Sequence, residues 1–275
     1  SLTKALEALG AAVTWEGEPG CPPLVLNGRR IAAGRTGVDL EQSSQFLSGL
    51  LLAAPALDGP LHVDITGSRV VSWPYVALTL QVMREFGASF RVEVLVDGAW
   101  QEVAWQDLTR AEPGTVRFTV HPGPYTSRDY SVEGDWSNAS YLLAAGALKP
   151  SGIRVAGLDP DSAQGDRAIL DILRLMGARV EVSASEIAVY PGELRGADLD
   201  MGACPDLVPT VAVLACLARG ETRVRNAAHL RIKESDRLGD LAGELEKTGA
   251  RIELHEDGAT IRPPSKVTEG PLRFD

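Results

Sequence analysis

Lys233, Glu234, Asp236 and Arg237 crowd together in the stretch RIKESDRL, and the apolar residues that follow, Leu238, Leu241, Ala242 and Leu245, recur at i, i+3, i+4 and i+7. That spacing predicts an amphipathic helix starting beside the charges. Cations at a helix start face the positive end of the macrodipole, which costs roughly 0.3 to 1 kcal/mol when exposed, and an anionic ligand would relieve it. Glu234 and Asp236 balancing them on a solvated helix start is the alternative. Asp206 stands just ahead of an apolar run, Val208 to Ala218, that Gly220 stops. A carboxylate there risks burial without water, which raises its pKa or demands a partner and makes it a candidate for proton transfer, unless it simply caps the helix. Ser43, Ser44 and Gln45 open another apolar helix. One serine suffices for a cap, whereas two hydroxyls and an amide in front of free backbone N–H groups also make a cradle for phosphate or carboxylate. Ser72 and Tyr75 flank Trp73 and Pro74 at a further helix start, with Pro74 at a plausible first helical position, although packing alone accounts for the Trp and Tyr. His229 precedes Lys233 by four residues, and no other histidine has a persuasive context, so a Ser-His-Asp or Cys-His relay is not supported. GDWSNASYLL, 134–143, and SAQGD, 162–166, read mainly as helix caps.

The elements that must position these residues repeat. ALEALGAAVTWEG, LQVMREFGASFRVEV, ILDILRLMGARVEVS and LAGELEKTGARIELH share a plan: an amphipathic helix closed by Gly-Ala, then an alternating strand. Gly10, Gly87, Gly177 and Gly249 fit the left-handed position that ends a helix without a Cβ clash. A second element recurs at Ser43–Gly67, Ser137–Asp159 and from Cys204 onward: a polar start, a helix rich in Leu and Ala, a Gly- or Pro-marked turn and a strand. The repeating unit reads strand, buried helix, strand, amphipathic helix and one or two further strands. The segment 111–135, rich in Pro and Gly, predicts a domain boundary near Ser131, dividing the chain into 1–131 and 132–275. Both ends are expected to be cropped, because the first residues enter directly on an amphipathic helix and the last stop where another unit would begin.

Composition narrows the function classes. A net charge of -10 with no basic run argues against nucleic-acid binding, and the longest apolar stretches fall short of the ~20 residues of a membrane span, so neither nucleic acid nor membrane is an expected partner. A cytoplasmic location is the default. Three cysteines, Cys21, Cys204 and Cys216, form no CxxC pair, and four histidines lie far apart, so neither a disulfide framework nor a metal site is signalled and no cofactor is implied.

Taken together, SSQFLSGLLLAAP, SWPY, GDWSNASYLLAAGAL, PDLVPTVAVLA and HLRIKESDRL resemble, in order and spacing, the 5-enolpyruvylshikimate-3-phosphate synthase family of enolpyruvyl transferases. The resemblance implies an α/β (α+β) fold of two domains built from repeated βαβαββ units with buried helices, here incomplete at both ends, with two units in each domain. It implies transfer of the enolpyruvyl group of phosphoenolpyruvate to the 5-hydroxyl of shikimate 3-phosphate, releasing phosphate, in the cleft between domains of a protein that is monomeric at full length. By resemblance Ser43, Ser44 and Gln45 hold shikimate 3-phosphate, with Ser72 and Tyr75 assisting. Asp206 contacts its hydroxyls and serves in proton transfer, Lys233 is the cation between the substrates, Glu234 is the acid-base partner at the phosphoenolpyruvate methylene, and Arg237 clamps phosphoenolpyruvate. His229 stands where some members carry Asn, and either can donate a hydrogen bond to a phosphate. A reaction between two multiply charged anions needs such cations and a placed acid and base.

Departures follow the same comparison. After CPPL many members carry a phosphoenolpyruvate arginine, but this chain has Val25, with Arg29 and Arg30 a few residues on. Motifs of the family's first and last units are missing, so the 275 residues alone are expected to turn over little, and the absent units should leave apolar helix surface uncovered. The enolpyruvyl transferase that acts on UDP-N-acetylglucosamine shares the fold and leans on a loop cysteine, but the surroundings of Cys21 do not resemble that loop. A non-catalytic module that binds a phosphorylated ligand is the alternative from another class.

Overall fold

The computed structural model describes residues 1–27 and 31–265; Arg29 and Arg30 lie outside the described residues. The chain separates into two compact units, Ser1–Tyr130 and Ser131–Asp275, each with its own apolar core.

Unit 1 runs α1 (Leu2–Ala8), β1 (Ala12–Trp15), β2 (Leu24–Asn27), β3 (Gly34–Asp39), α2 (Gln45–Ala53), β4 (Leu61–Thr66), α3 (Trp73–Glu85), β5 (Phe90–Val96), β6 (Ala99–Val103) and β7 (Val116–Val120). β1 and β2 form an antiparallel hairpin, and the other strands make one sheet in the order β3-β4-β7-β5-β6. Its single parallel pair is β3 and β4, from Gly34 opposite Leu61 to Asp39 opposite Thr66. The units divide beside Ser131, but within 111–135, read as turns, residues Val116–Val120 form β7. VRFTV forms a central strand with Val116, Phe118, Thr119 and Val120 buried, its apolar residues alternating with Arg117 and Thr119 between the prolines and glycines.

Unit 2 runs α4 (Trp136–Leu148), β8 (Ile153–Ala156), α5 (Ile169–Leu175), β9 (Arg179–Val182), β10 (Glu186–Tyr190), β11 (Asp198–Asp200), α6 (Val208–Leu217), β12 (Thr222–Arg225), α7 (Arg237–Glu246), β13 (Arg251–His255) and β14 (Gly258–Arg262). Its sheets are β8-β10-β9 and β11-β12-β14-β13, and β11 and β12 are again the one parallel pair among the described strands. The order β11-β12-β14-β13 repeats β3-β4-β7-β5, with β6 added as a hairpin edge. The order β8-β10-β9 repeats its last three strands. The repeating unit read from the sequence, strand, helix, strand, helix and further strands, is therefore present in the strand pairings themselves.

The repeated helix endings follow from backbone hydrogen bonding. Gly10, Gly87, Gly177 and Gly249 have φ of +91, +81, +101 and +87. In the first three, the glycine N–H bonds the carbonyl three residues back (Glu7, Arg84, Arg174) and the alanine N–H reaches the one five back (Leu6, Met83, Leu173). These paired bonds satisfy carbonyls that a helix end otherwise leaves open. At the fourth ending Gly249 keeps its bond to Glu246, while the Ala250 N–H turns to the Thr248 hydroxyl.

The Leu- and Ala-rich helices α2, α4 and α6 bury most of their residues, but not all round. Val213 and Leu217 of α6 are 45% and 48% exposed, and Tyr141 and Leu142 of α4 are 55% and 53% exposed. Within each unit the described elements cover only part of each helix, so the expectation of fully buried helices is corrected and the uncovered apolar surface is found on these stripes.

Candidate functional site

In both units the polar residues singled out by the sequence lie in loops at the carboxyl ends of the unit's parallel strand pair. Parallel strands carry their crossovers on that edge, so side chains from two loops meet there and backbone N–H groups of the following helices point outward.

In unit 1, the loop after β3 carries Ser43 and Ser44 into α2, and the loop after β4 carries Ser72 into α3. The Val71 N–H bonds the Leu40 carbonyl (3.3 Å), joining the loops, and the Ser48 and Thr79 hydroxyls (2.8 Å) join the two helices behind them. Ser44 occupies the cap position of α2, is buried, and makes no capping bond with its side chain. Capping therefore does not explain this serine. The Ser43 hydroxyl accepts from the Gln45 N–H (3.2 Å), and Gln45 is exposed as the first residue of α2. Ser72 sits at φ 55 and ψ 40, left-handed, at the start of α3, again with no capping bond from its hydroxyl. A left-handed serine costs on the order of 1 to 2 kcal/mol, and such strain persists where the surroundings enforce it, often at ligand-binding positions. The helix starts at Trp73, which places Pro74 one residue later than expected. A cavity of about 310 Å³ in this unit is lined by Ser1, Lys4, Asp39, Glu41 and neighbours, and none of the five expected residues lines it.

In unit 2, a short 3-10 turn, Pro205–Leu207, brings Asp206 to the start of α6, and another, Ala228–Ile232, leads through Lys233 and Glu234 to α7. Neither Pro205–Leu207 nor α6 has a side-chain cap, so Asp206 is not a helix cap. It is 38% exposed and takes a hydrogen bond from Arg237 Nη1 (2.8 Å), so the carboxylate finds a partner rather than being buried without one. Arg237 is the first residue of α7. Its Nε (2.9 Å) and its other terminal nitrogen donate to Glu234, so one guanidinium holds both carboxylates. Burial pushes the Arg237 pKa down, but the Asp206 and Glu234 contacts outweigh it, and the net shift is upward. Glu234 is held below the usual carboxylate range, first by its own backbone N–H and then by Arg237. Asp236 caps α7 by accepting from the Gly239 N–H (3.0 Å) and pairs with Arg231 rather than with Lys233 or Arg237. Lys233 is half-buried, with no carboxylate within ion-pair distance among the described residues. A cavity of about 550 Å³ opens here, lined by Asp206, Arg237, Ser235, Ser137 and Tyr141 among others.

The EPSP synthase family model (3-phosphoshikimate 1-carboxyvinyltransferase) matches residues 1–104 and 108–273. The chain belongs to the EPSP synthase family. A 3-phosphoshikimate 1-carboxyvinyltransferase of Sulfurovum sp. (strain NBC37-1) is 38% identical over 97% of this chain and 58% of its own length. One from Nitrosomonas europaea is 38% identical over 100% of the chain and 59% of its own. Among solved structures, EPSP synthase from Acinetobacter baumannii is similar with a TM-score of 0.66 at 22% identity, over 98% of this chain and 57% of that one. The enolpyruvyl transferase NikO from Streptomyces tendae gives 0.65 at 20% identity, over 96% and 58%. These structural likenesses carry the enolpyruvyl transferase fold, and the chain spans a little under three-fifths of the length of the curated relatives it matches.

Set against the expectations for the family, unit 2 joins Asp206 and Glu234 through Arg237, and the link from Arg237 to Asp206 is invisible in sequence, where the two residues lie 31 apart. Lys233 shares their loop without touching them. His229 is 1% exposed and is not among the residues that line this cavity. Cys204, next to this site, is buried. Burial, followed by the charges of Asp166, Asp200 and Asp206, pushes its thiol up to about 12. Ser137, Tyr141 and Ser235 also line the cavity; in sequence Ser137 and Tyr141 belong to a stretch that reads as a helix cap, which hides them.

Proposed function

We propose that the chain carries the substrate-binding loops of an enzyme that transfers the enolpyruvyl group from phosphoenolpyruvate to the 5-hydroxyl of shikimate 3-phosphate and releases phosphate, as its relatives' name describes. The observation that carries this reading is the Asp206–Arg237–Glu234 group beside Lys233 at the carboxyl ends of β11 and β12. It unites what the reaction needs: cations for anionic substrates, a carboxylate for a hydroxyl proton, and a second carboxylate for the methylene.

In this reading Ser43, Ser44, Gln45, Ser72 and Tyr75 hold shikimate 3-phosphate, Asp206 accepts from its hydroxyls, and Lys233 offsets the repulsion between the two anions. Arg237 clamps phosphoenolpyruvate by exchanging a carboxylate partner for the incoming anion. Glu234, released from Arg237 by that exchange, regains a higher pKa and takes up a proton more readily, which couples substrate arrival to readiness for proton transfer. Sequence similarity to curated transferases of shikimate 3-phosphate favours this substrate over a UDP-sugar, and the burial of Cys204 and Cys216 leaves Cys21 as the one exposed thiol. A cytoplasmic, monomeric enzyme of aromatic amino-acid biosynthesis that binds neither nucleic acid nor membrane belongs to the same proposal. Its support is the charge of -10 and, among the described residues, the lack of any helix long and apolar enough to cross a membrane.

Calorimetry tests the reading. Shikimate 3-phosphate should bind the chain, UDP-N-acetylglucosamine should not, and Ser44→Ala and Lys233→Ala should each weaken binding severalfold. Unchanged binding in both variants, or preference for the UDP-sugar, contradicts it.

A further inference from the structure

The start of α4 holds, within its repeat, the place that Ser44 holds before α2 and Asp206 holds before α6, yet the reading above gives it no role. Asp135 caps this helix, accepting from the Ser137 N–H (2.8 Å) and the Asn138 N–H (3.4 Å). The Ser137 hydroxyl is therefore not needed as a cap. It donates instead to Oδ2 of Asp166 (2.9 Å), a carboxylate only 2% exposed in the turn that precedes α5. The Ser137 carbonyl accepts from the Ser140 hydroxyl (2.6 Å), and Ser140 in turn meets Thr210 of α6 (2.8 Å). The side chain of Ser137 is thus fixed through its amide, carbonyl and hydroxyl, and it lines the 550 Å³ cavity with Asp206 and Arg237.

A hydroxyl whose proton is committed to a buried carboxylate can offer a ligand only its lone pairs. It welcomes a hydrogen-bond donor and gives nothing to a phosphate or carboxylate oxygen, which is acceptor-only. We propose that Ser137, oriented by Asp166, is a specificity residue that accepts a hydrogen bond from a substrate hydroxyl and so distinguishes the hydroxylated substrate from a simple anion. Asp166 acts through Ser137 as a positioning residue. This inference rests on the substrate reading of the preceding section.

The test is calorimetric titration of the 275-residue chain and its variants with shikimate 3-phosphate and, separately, with phosphoenolpyruvate, which has no hydroxyl. Ser137→Val should weaken shikimate 3-phosphate binding about five- to tenfold, the loss of roughly one hydrogen bond. It should leave phosphoenolpyruvate binding within twofold. Ser137→Thr, of the same shape but with the hydroxyl kept, should bind both nearly as the unaltered chain does, and Asp166→Asn should give an intermediate loss for shikimate 3-phosphate alone. If Ser137→Val and Ser137→Thr bind shikimate 3-phosphate equally, or if both ligands weaken together, the assignment of Ser137 is overturned while the substrate reading stands. If the unaltered chain does not bind shikimate 3-phosphate, the substrate reading fails and this assignment fails with it.

Discussion

Replacing Glu234 by Gln should make the chain bind phosphoenolpyruvate more tightly, even though Glu234 is assigned to the reaction. Arg237 makes three carboxylate contacts, Nη1 to Asp206 and two nitrogens to Glu234, so Glu234 occupies most of the fork that an anion would need. Glutamine keeps the size but removes the charge, and the arginine exchanges partners at less cost. Glu234 is exposed, and exposed ion pairs are weak, so the gain should be about two- to fivefold rather than orders of magnitude. It should shrink as salt is raised, since the Debye length is about 10 Å at 0.1 M. Arg237→Ala should abolish the effect and most anion binding. Calorimetry at low ionic strength decides. Unchanged or weaker binding in Glu234→Gln would refute the idea that the carboxylate competes with the ligand for Arg237. A pH consequence accompanies it. The Glu234 pKa lies below its ordinary 4.5, so the contribution of its contacts to stability is complete above that value and is lost as pH falls below it. Glu234→Gln should therefore narrow the acid-induced fall in melting temperature.

Thiol labelling of the native chain should modify one cysteine rapidly, Cys21, because Cys204 and Cys216 are buried with thiols pushed upward; three equivalents should react in denaturant, and rapid native labelling of Cys204 would contradict its burial. Gly177→Ala and Gly157→Ala separate conformational cost from steric cost: both have positive φ, +101 and +83, but a Cβ at Gly177 would lie 2.4 Å from the Glu193 carbonyl oxygen whereas Gly157 has open space. Gly157→Ala should cost about 1 kcal/mol and Gly177→Ala clearly more, measured by urea denaturation. Ser72→Gly relieves the left-handed serine and should leave stability unchanged or raise it by up to about 1 kcal/mol, while weakening shikimate 3-phosphate binding.

What the sequence made legible was local. Four Gly-Ala helix endings, the amphipathic spacing of α7 and the apolar run of α6 depend on residues within one or two turns, and each appears in the structure where the pattern placed it. What stayed hidden was non-local pairing. β7 was masked by the prolines and glycines around it, and its place between β4 and β5 comes from register with strands far away in sequence. The joining of Asp206 to Arg237 and of Ser137 to Asp166 requires β11 beside β12 and α4 beside the turn before α5, neither of which spacing reveals. Burial was equally hard to read. The resemblance gave His229 a phosphate through the Asn that other members carry there, and the short 3-10 turn that holds it buries its ring, which spacing does not reveal.

The central claim, that loops at the carboxyl ends of the two parallel pairs bind the substrate, is tested most directly by diffraction from crystals of the chain grown with shikimate 3-phosphate. The account predicts ligand density within hydrogen-bond distance of the named residues of a unit: Ser43, Ser44 or Gln45 in unit 1, or Asp206 or Lys233 in unit 2. Ordered ligand bound elsewhere, with these side chains unchanged, would contradict it.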